Sequence, residues 1–446
     1  MSARKGSNGS HSRVTAIVGG AAALPTVLQP DAVVLLEGDR VVAAGPRATT
    51  PIPRGATRID ARGCVVAPGL VDLHINGFGG VDAFSAGPKE LARMGAALAR
   101  AGVTSFVPTL VTSPFPSLCR SLARLSAAVA LAPVAGCAEA IGLYVEGPFL
   151  SESKRGAHPS QDLRQPRHES VKQLAELFPT GTRPTIVALA PELPGAMDAI
   201  RAFAHAGAVI ALGHSNADAE TCRLAAAAGA RHVVHLFNAM GPMHHRSPGL
   251  AGFALGSSEV TAEVIADGHH VDRWMIALAW RALGSDRMCL VSDALAPAGL
   301  PLADGTTVRL DSGLGKVTLK RGGTEALQTL RAGPSPLPRF VNGAGVLAGA
   351  AVPLSECVRF AVHGAGIPLL DAVRMASATP ARVLGLGSRK GQLAPGFDAD
   401  VLLLDGDLRP KAVWVRGKSV EPGRPAARET KRTPQTTRMR RPERRR

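Results

Sequence analysis

The chain has 446 residues, of which 46% are apolar and 19% are charged, and its formal net charge is +16. These proportions are typical of a globular protein, and the length suits a barrel enzyme with a side domain. No apolar run approaches the roughly 18 residues of a membrane span, so we predict no membrane partner. The six cysteines are scattered without a Cys-x-x-Cys motif, which favours reduced thiols in a cytoplasmic protein over a disulfide framework or a structural zinc site.

Both termini have compositions that predict disorder. Residues 1–13 are polar and rich in Gly and Ser. The stretch "AIVGGAAALPTVL" that follows imitates a signal peptide, but Pro25 and the central Gly pair argue against secretion. Residues 421–446 carry ten Lys or Arg against three Glu, a net charge of +7 that is typical of a disordered basic tail. The remaining +9 (16 − 7) suits an anionic small substrate as well as a nucleic acid.

A small β unit is predicted next, in residues 14–67. The segment "AVVLLEGDRVVAAG" is two apolar runs around a turn at residues 37–39, and "TRIDARGCVVA" is a second pair of runs. Near the other end of the chain, "GQLAPGFDADVLLLD" and "AVWVRGKSV" again have the pattern of strands. We expect residues 14–67 and 386–420 to form one discontinuous β-sandwich domain.

Residues 68–385 show a different pattern, in which short apolar runs alternate with Ala-rich helical segments. Continuous apolar strands between helices predict a parallel sheet buried on both faces. Eight such units predict an α/β fold, a (β/α)₈ barrel of the TIM type. The eight runs are "VDLHIN" (71–76), "TSFVPTL" (104–110), "IGLYVEG" (141–147), "TIVALAPE" (185–192), "VIALGHS" (209–215), "HVVHLFN" (232–238), "EVIADGHH" (263–270) and "MCLVSDA" (288–294).

The Gly-rich stretch 299–346 interrupts this alternation. We predict a hairpin followed by a loop near the active face of the barrel. Helices are expected again at "PLSECVRFAVHGAG" and "LLDAVRMASATPARVLGL".

Three potential metal ligands lie at matching ends of the predicted strands, where barrels of this kind carry their chemistry. Glu146 ends the third run, His214 the fifth and His235 the sixth. One carboxylate and two imidazoles with an open position are a typical catalytic zinc site, although these ligands also suit iron or manganese. A single His is more often a hydrogen-bonded core residue, but three residues at corresponding strand ends favour a metal site.

Two further strand ends offer catalytic groups. Asp293 ends the eighth run and could move protons beside a metal-bound water, or it could be a helix N-cap or turn aspartate. His270 ends the seventh run and could polarise a substrate carbonyl. His269 is expected to point the opposite way and to be structural.

The loop "NAMGPMHHRSPGLAG" (238–252) contains one candidate anion contact. Arg246 could bind phosphate oxygens through its guanidinium group, although a lone loop Arg is more often solvated. His244 and His245 are expected at the surface.

Five motifs resemble those of the N-acetylglucosamine-6-phosphate deacetylases of the amidohydrolase superfamily. They are "YVEGPFLSESKRGAH", "LGHSNAD", "HLFNAMGPMHHRSPGLAG", "ADGHHVD" and "VSDALAPAG", in the family's order, within a resemblance that extends from about residue 33 to about residue 420. The closing "GQLAPGFDADVLLLD" is shared by many amidohydrolases and indicates only the superfamily.

The resemblance implies specific roles for residues of this chain. It implies metal ligands at Glu146, His214 and His235, an acid/base at Asp293, a phosphate contact at Arg246 and a carbonyl contact at His270. It implies further substrate contacts at Ala157, His158, Asn238, Ala239, Leu347, Ala348 and Gly349. It also implies a homodimer and a divalent metal, with Zn²⁺ expected first and Fe²⁺, Mn²⁺ or Co²⁺ as alternatives.

The chain departs from the family in three places. Alanines at positions 348, 350 and 351 stand where the family often has Ser-Gly-Ser, which removes hydroxyl groups, and residues 315–340 have no counterpart. In "LHING", the chain has His74 and Asn76 where many metal-dependent hydrolases have His-x-His. Asn is a weaker ligand than imidazole, so we predict one tightly held metal and a weak or empty second site in which His74 is a partial ligand or an outer-shell group.

The predicted activity is therefore hydrolysis of N-acetylglucosamine 6-phosphate to glucosamine 6-phosphate and acetate. One alternative is an amidohydrolase that acts on an unphosphorylated amino sugar or an N-acyl amino acid. An alternative of another class is a polyanion binder that uses the basic tail. The tail lacks interleaved aromatic residues, so the sequence does not support nucleic-acid recognition.

Overall fold

The computed structural model describes residues 14–179, 181, 184–321 and 337–421. The predicted disordered segment 1–13 lies outside these ranges, as does the predicted tail 421–446 apart from its first residue. The strands are β1 Thr15–Ala23, β2 Leu28–Glu37, β3 Arg40–Pro46, β4 Thr57–Asp60, β5 Val65–Pro68, β6 Leu70–Ile75, β7 Gly77–Phe78, β8 Val81–Asp82, β9 Val103–Val111, β10 Glu139–Ala140, β11 Leu143–Glu146, β12 Thr185–Leu189, β13 Val209–Leu212, β14 Ala230–Val233, β15 Thr261–Ile265, β16 Met288–Val291, β17 Thr307–Arg309, β18 Lys316–Lys320, β19 Arg339–Asn342, β20 Leu347–Ala350, β21 Val401–Leu404, β22 Pro410–Val415 and β23 Lys418–Val420. The helices are α1 Pro88–Arg100, α2 Phe115–Val129, α3 His168–Ala175, α4 Ala196–His205, α5 Ala219–Ala228, α6 Gly249–Gly256, α7 Arg273–Arg287, α8 Leu354–His363, α9 Leu369–Met375 and α10 Ala378–Val383, with short 3₁₀ turns at Glu152–Lys154 and Ser160–Asp162.

Eight parallel strands form the predicted barrel, in the order β6-β9-β11-β12-β13-β14-β15-β16. Each corresponds to one of the eight apolar runs. The first and last strands approach each other through a bridge between Ile75 and Ala294. At this seam the Asp293 N–H donates to the His74 carbonyl at 2.9 Å, and the Asn76 N–H donates to the Ala294 carbonyl at 2.9 Å. The seam therefore brings two strand ends with polar side chains together.

The barrel strands are largely apolar and buried because helices cover their outer face. Every residue of β6 and β9 is buried. Helix α1 buries Leu91, Met94 and Leu98 at a spacing of three to four residues, which is one face of a helix. Helix α7 begins at an Asp272 side chain that accepts the Trp274 N–H. Among the described residues, no helix is long and apolar enough to cross a membrane.

Strands from both ends of the chain form one eight-stranded sheet. Its order is β23-β22-β21-β5-β1-β2-β3, with β4 also paired to β1. Val34 of β2 and Leu403 of β21 belong to the same apolar cluster, as does Trp414 of β22. The predicted sandwich thus takes the form of a continuous sheet whose two halves share a core. We propose residues 14–67 and 386–420 as the bounds of this domain.

The second predicted strand pair of the small domain is arranged differently from the expectation. β2 and β3 do form a hairpin, but β4 and β5 do not pair with each other, since each runs parallel to β1. β4 pairs with Thr15–Val18 and β5 with Ala21–Ala22. Gly20 lies between these halves, where a Cβ atom would come within 2.6 Å of the Ala61 carbonyl oxygen. Because Gly20 permits this close approach, the single long strand β1 pairs with both short strands, β4 and β5.

The Gly-rich stretch contains more regular structure than the predicted hairpin and loop. β17 and β18 form the hairpin, but β19 and β20 extend it to a four-stranded antiparallel sheet. The prediction of a loop after the hairpin was therefore wrong for residues 339–350. Alternating burial explains the strand, because Phe340 is fully buried while its neighbours are only partly buried. Residues 322–336, within the stretch that has no family counterpart, lie outside the described residues.

A buried ion cluster joins the small domain to the barrel. The Lys390 ammonium group lies 3.0 Å from a Glu139 carboxylate oxygen and 2.9 Å from oxygens of Asp398 and Asp400. Arg389 also pairs with Glu139 and Asp398. Glu139 belongs to β10 beside the barrel, whereas the two aspartates precede β21. Burial lowers the pKa of Lys390, but the carboxylates outweigh it and raise that pKa above its ordinary value.

Replacing Lys390 by Met should lower the free energy of unfolding by about 3–5 kcal/mol, because three buried carboxylates lose a shared cation. Chemical denaturation of purified protein measures this loss. Lys172→Met removes an exposed lysine that pairs with Glu176 at 3.9 Å, and it should cost at most about 0.5 kcal/mol. Equal costs for the two variants would show that the buried cluster adds nothing to stability.

Candidate active site

Three predicted metal ligands converge at the carboxyl end of the barrel. Glu146 is the last residue of β11, and His214 and His235 each lie two residues beyond their strands, β13 and β14. The Glu146 Oε1 atom is 3.0 Å from His214 Nε2 and 2.9 Å from His235 Nε2. The two Nε2 atoms are 3.0 Å apart, and all three residues are buried. One cation could contact all three atoms.

The chemistry of these atoms fits a divalent cation. His214 Nδ1 is 2.9 Å from the Lys154 carbonyl, which only accepts, so Nδ1 carries the proton and Nε2 carries a lone pair. Burial lowers the pKa of His214 to about 4, so the ring is neutral near pH 7. This lone pair faces Glu146 and His235 at about 3 Å, an arrangement that is favourable when a cation lies between the three side chains. Zn²⁺, Fe²⁺, Mn²⁺ and Co²⁺ all suit this set of ligands.

The backbone at these strand ends is strained in a way that aims the side chains. His214, His235 and Asp293 have positive φ angles of 48°, 25° and 49°, a conformation that non-glycine residues rarely adopt. Before His214, a Cβ at Gly213 would lie 1.9 Å from a Val234 side-chain atom, so the chain can pass there only as glycine. Such conformations are typical of functional sites in which the surrounding fold imposes the geometry.

A cavity of about 270 Å³ opens onto the cluster. Most of the predicted substrate contacts line it. The lining residues are Asn76, Val111, Glu146, Gly156, Ala157, His158, His214, His235, Asn238, Ala239, Ile265, His270, Asp293, Leu314, Val346, Leu347 and Ala348. Leu314, Val346 and Leu347 come from the region of the four-stranded sheet, which therefore forms one wall of the site.

Three predicted residues are not part of this lining. Arg246 is exposed and is not among the residues that line the cavity. A Cβ at Gly349 would lie 2.6 Å from the Asp293 carbonyl oxygen, so this glycine permits a close backbone approach. His74 lies fully buried beneath the cavity.

Asp293 lies beside the three candidate metal ligands, and a neighbouring residue orients its carboxylate. Asn76 Nδ2 donates to Asp293 Oδ1 at 2.6 Å, and His74 Nε2 lies 3.5 Å from the same oxygen. Burial raises the pKa of Asp293 above that of an ordinary carboxyl group, while His74 opposes the shift. No helix of the described residues begins at this aspartate, so the helix-cap alternative lacks support.

His270 and His269 have the contrasting environments that the sequence predicted. His270 Nδ1 is 2.7 Å from Asp267 Oδ2, and His270 lines the cavity. Asp267 also accepts the backbone N–H groups of both histidines. Burial lowers the pKa of His270, but Asp267 raises it by more, which favours the proton-donating form. His269 instead contacts Arg339 at 3.2 Å.

The sequence prediction missed polar residues that lie behind the site. Glu263 is fully buried in β15 and contacts His74 and His232. Asp72 is also fully buried and accepts the Ser292 N–H and hydroxyl, and burial raises the pKa of Asp72 to about 7. The signal available in the sequence was an acidic residue within an apolar run. A buried carboxylate is costly without hydrogen-bonding partners, so such a residue indicates a buried polar contact.

The family of the chain follows from a comparison with known proteins. A model described as "Amidohydrolase family" matches residues 65–420. The chain belongs to the amidohydrolase family. Two relatives show where it stands within that family. The N-acetylglucosamine-6-phosphate deacetylase of Bos taurus is 36% identical over 82% of this chain and 86% of its own length. The N-acetylgalactosamine-6-phosphate deacetylase of Escherichia coli O157:H7 is 33% identical over 85% and 92%.

Solved structures of other amidohydrolases have the same fold. A mutant N-acetyl-D-glucosamine-6-phosphate deacetylase from Mycobacterium smegmatis, in complex with N-acetyl-D-glucosamine-6-phosphate, is 32% identical with a TM-score of 0.78. It covers 92% of this chain and 99% of its own. The N-acetylglucosamine-6-phosphate deacetylase from Pasteurella multocida is 28% identical with a TM-score of 0.78, covering 91% and 99%.

Replacing His214 by Ala should reduce the metal content of this amidohydrolase from about one atom per chain to well below half an atom, because the cluster loses one of three ligands. Elemental analysis after dialysis measures this content. His74→Asn is the matched variant, and it should keep about one metal per chain. Two stoichiometric metals in the unmodified protein would contradict the prediction of a single tight site.

Proposed function

We propose that the chain is a metal-dependent hydrolase that removes the acetyl group from N-acetyl-D-glucosamine 6-phosphate, giving D-glucosamine 6-phosphate and acetate. The observation that carries this proposal is the Asp293 carboxylate facing the same cavity as the cluster of Glu146, His214 and His235. The similarity to deacetylases of this substrate over more than four-fifths of the chain supports it.

The mechanism assigns one task to each polar group. A divalent cation at the cluster would lower the pKa of a bound water and polarise the acetyl carbonyl. Asp293 takes a proton from the attacking water and later gives it to the departing amine. Asn76 keeps the Asp293 oxygen in place for this transfer. His270, held through Nδ1 by Asp267, donates from its other nitrogen to the oxygen that gains negative charge.

The phosphate group needs a cation that the cavity itself does not supply. Among the described lining residues there is no Lys or Arg. We assign the phosphate contact to Arg246, which must approach the cavity from outside its lining when substrate binds. Remote binding of this kind orients the amide at the reacting groups.

The relatives suggest one second candidate substrate. The Escherichia coli relative is named for N-acetylgalactosamine 6-phosphate, which differs from the glucose isomer only in the configuration at C4. No finding favours an unphosphorylated amino sugar or an N-acyl amino acid. We extend the proposal to Zn²⁺ as the metal, a homodimer and a cytoplasmic location, on the ligand types and the family resemblance.

Asp293→Asn should reduce kcat by about 10²–10⁴-fold with little change in KM, because the amide cannot carry the proton while Asn76 can still donate to it. A steady-state deacetylation assay measures this. Asp198→Asn replaces an exposed carboxylate of α4 and should leave kcat unchanged. A loss smaller than about tenfold, roughly 1.4 kcal/mol of barrier, would contradict the acid/base role.

Removing the 6-phosphate from the substrate should lower kcat/KM by about 10–100-fold or more, since a charge-assisted contact is worth roughly 1.5–3 kcal/mol. Arg246→Ala should lower kcat/KM for the phosphorylated substrate by about the same factor and leave the unphosphorylated one unchanged. Arg201→Ala is the control, because Arg201 is an exposed arginine of α4. The same assay with the C4 epimer tests the second candidate, and a higher kcat/KM for the epimer would reassign the substrate.

A further inference from the structure

A chain of hydrogen-bonded polar residues runs through the barrel beneath the three candidate metal ligands. Thr261 Oγ1 lies 2.6 Å from His232 Nδ1, and His232 Nε2 lies 3.0 Å from Glu263 Oε1. The other carboxylate oxygen, Glu263 Oε2, lies 2.9 Å from His74 Nδ1. His74 therefore ends a line of contacts that begins at the start of β15.

Glu263 is held on every side by groups that donate to it. Its side chain is fully buried, as are those of His74 and His232. Besides the two rings, Glu263 Oε2 accepts the backbone N–H of His235 at 3.2 Å. A buried carboxylate is costly unless several donors satisfy it. The proposed mechanism explains neither Glu263 nor His232, although both are buried in the same barrel.

The carboxylate determines which nitrogen of His74 faces the cavity. A carboxylate only accepts, so His74 Nδ1 carries a proton toward Glu263. His74 Nε2 then points toward Glu146 Oε2 at 3.4 Å and Asp293 Oδ1 at 3.5 Å, and it has no hydrogen-bond partner. The Tyr144 ring packs against the imidazole with centroids 4.6 Å apart, which restrains the ring plane.

We propose that Glu263, held by His232, is a positioning residue that sets the orientation of His74 and through it the position of the Asp293 carboxylate. This inference rests on the proposed function, because Asp293 is the group that moves protons in that reaction. Glu263 does not touch the cavity, so it acts on the reaction through the residues that it contacts, of which His74 is the one that also lies beside Asp293. An arrangement in which a carboxylate fixes the ring of an active-site histidine is a general means of aligning its other nitrogen.

A double-mutant cycle tests this path. Glu263→Gln should lower kcat by at least about tenfold with KM within about twofold and about one metal per chain retained, since misalignment affects the reaction rather than binding. In a His74→Asn background, the same substitution should change kcat by less than about twofold. Multiplicative losses in the double variant, or loss of metal with an unchanged kcat per metal, would overturn the proposal.

Two further variants separate positioning from a general loss of stability. His232→Gln can still donate to Glu263 Oε1 and should retain most of the activity, whereas His232→Leu should resemble Glu263→Gln. Glu139→Gln makes the same change at a buried carboxylate that contacts Lys390 instead of His74. It should lower the Tm and leave kcat unchanged. If Glu139→Gln lowered kcat as much as Glu263→Gln does, reduced stability would explain both losses and the positioning role of Glu263 would be rejected.

Proton NMR tests the hydrogen bond without relying on activity. A downfield resonance from the proton between His74 Nδ1 and Glu263 should be present in the unmodified protein and absent in His74→Asn. In Glu263→Gln it should shift upfield, because a neutral amide oxygen is a weaker acceptor than a carboxylate. If this resonance is present but the protein does not deacetylate N-acetyl-D-glucosamine 6-phosphate, the contact between His74 and Glu263 stands and only the proposed function is rejected. An unchanged chemical shift of this resonance in Glu263→Gln would overturn the contact itself.

Discussion

The site depends on the close approach of three potential ligand atoms, one oxygen and two nitrogens, that the barrel holds together. Glu146 Oε1 and the Nε2 atoms of His214 and His235 lie 2.9–3.0 Å from one another. Each comes from a different strand end, and all three residues are buried, which strengthens their electrostatic interaction with a cation. A divalent cation could contact all three atoms at once. The parallel register of β11, β13 and β14 and the strained turns after the last two strands bring the three atoms together.

The backbone contacts that close the barrel also place the acid/base group. The backbone contact between Asp293 and His74 that joins β16 to β6 also brings the two side chains beside the cluster. The residues of β20 then pack along Asp293, where Gly349 leaves room and the Ala350 N–H donates to the Asp293 carbonyl. A change that opens this seam would therefore disturb proton transfer as well as stability.

Two of the buried polar systems among the described residues have different physical roles. Lys390 and its carboxylates join the small domain to the barrel and contain no group that faces the cavity. Glu263, His232 and His74 instead lie directly behind the metal cluster. Both systems satisfy the cost of burial by pairing each charge with several partners, but only the second transmits its geometry to reacting groups.

Local patterns in the sequence predicted much of the fold and part of the candidate site. Continuous apolar runs predicted all eight barrel strands, because parallel strands covered by helices are buried on both faces. The rule that chemistry lies at the carboxyl ends of such strands selected Glu146, His214, His235 and Asp293 as candidates. The same patterns misjudged β4 and β5, which both pair with β1 instead of with each other. They also left residues 339–350 as a loop, because β19 and β20 have only four residues each, too few to show a period.

The sequence by itself determined the residue types at the strand ends and hence the class of chemistry that they can perform. Only the tertiary structure decided which of them meet. The contact between His74 and Glu263 joins residues that are 189 positions apart, and nothing local in either segment specifies it. Arg246 shows the converse, since its residue type suits a phosphate but its exposed position lies outside the cavity lining. Residue chemistry is a property of each position alone, whereas distance depends on the closure of the whole barrel.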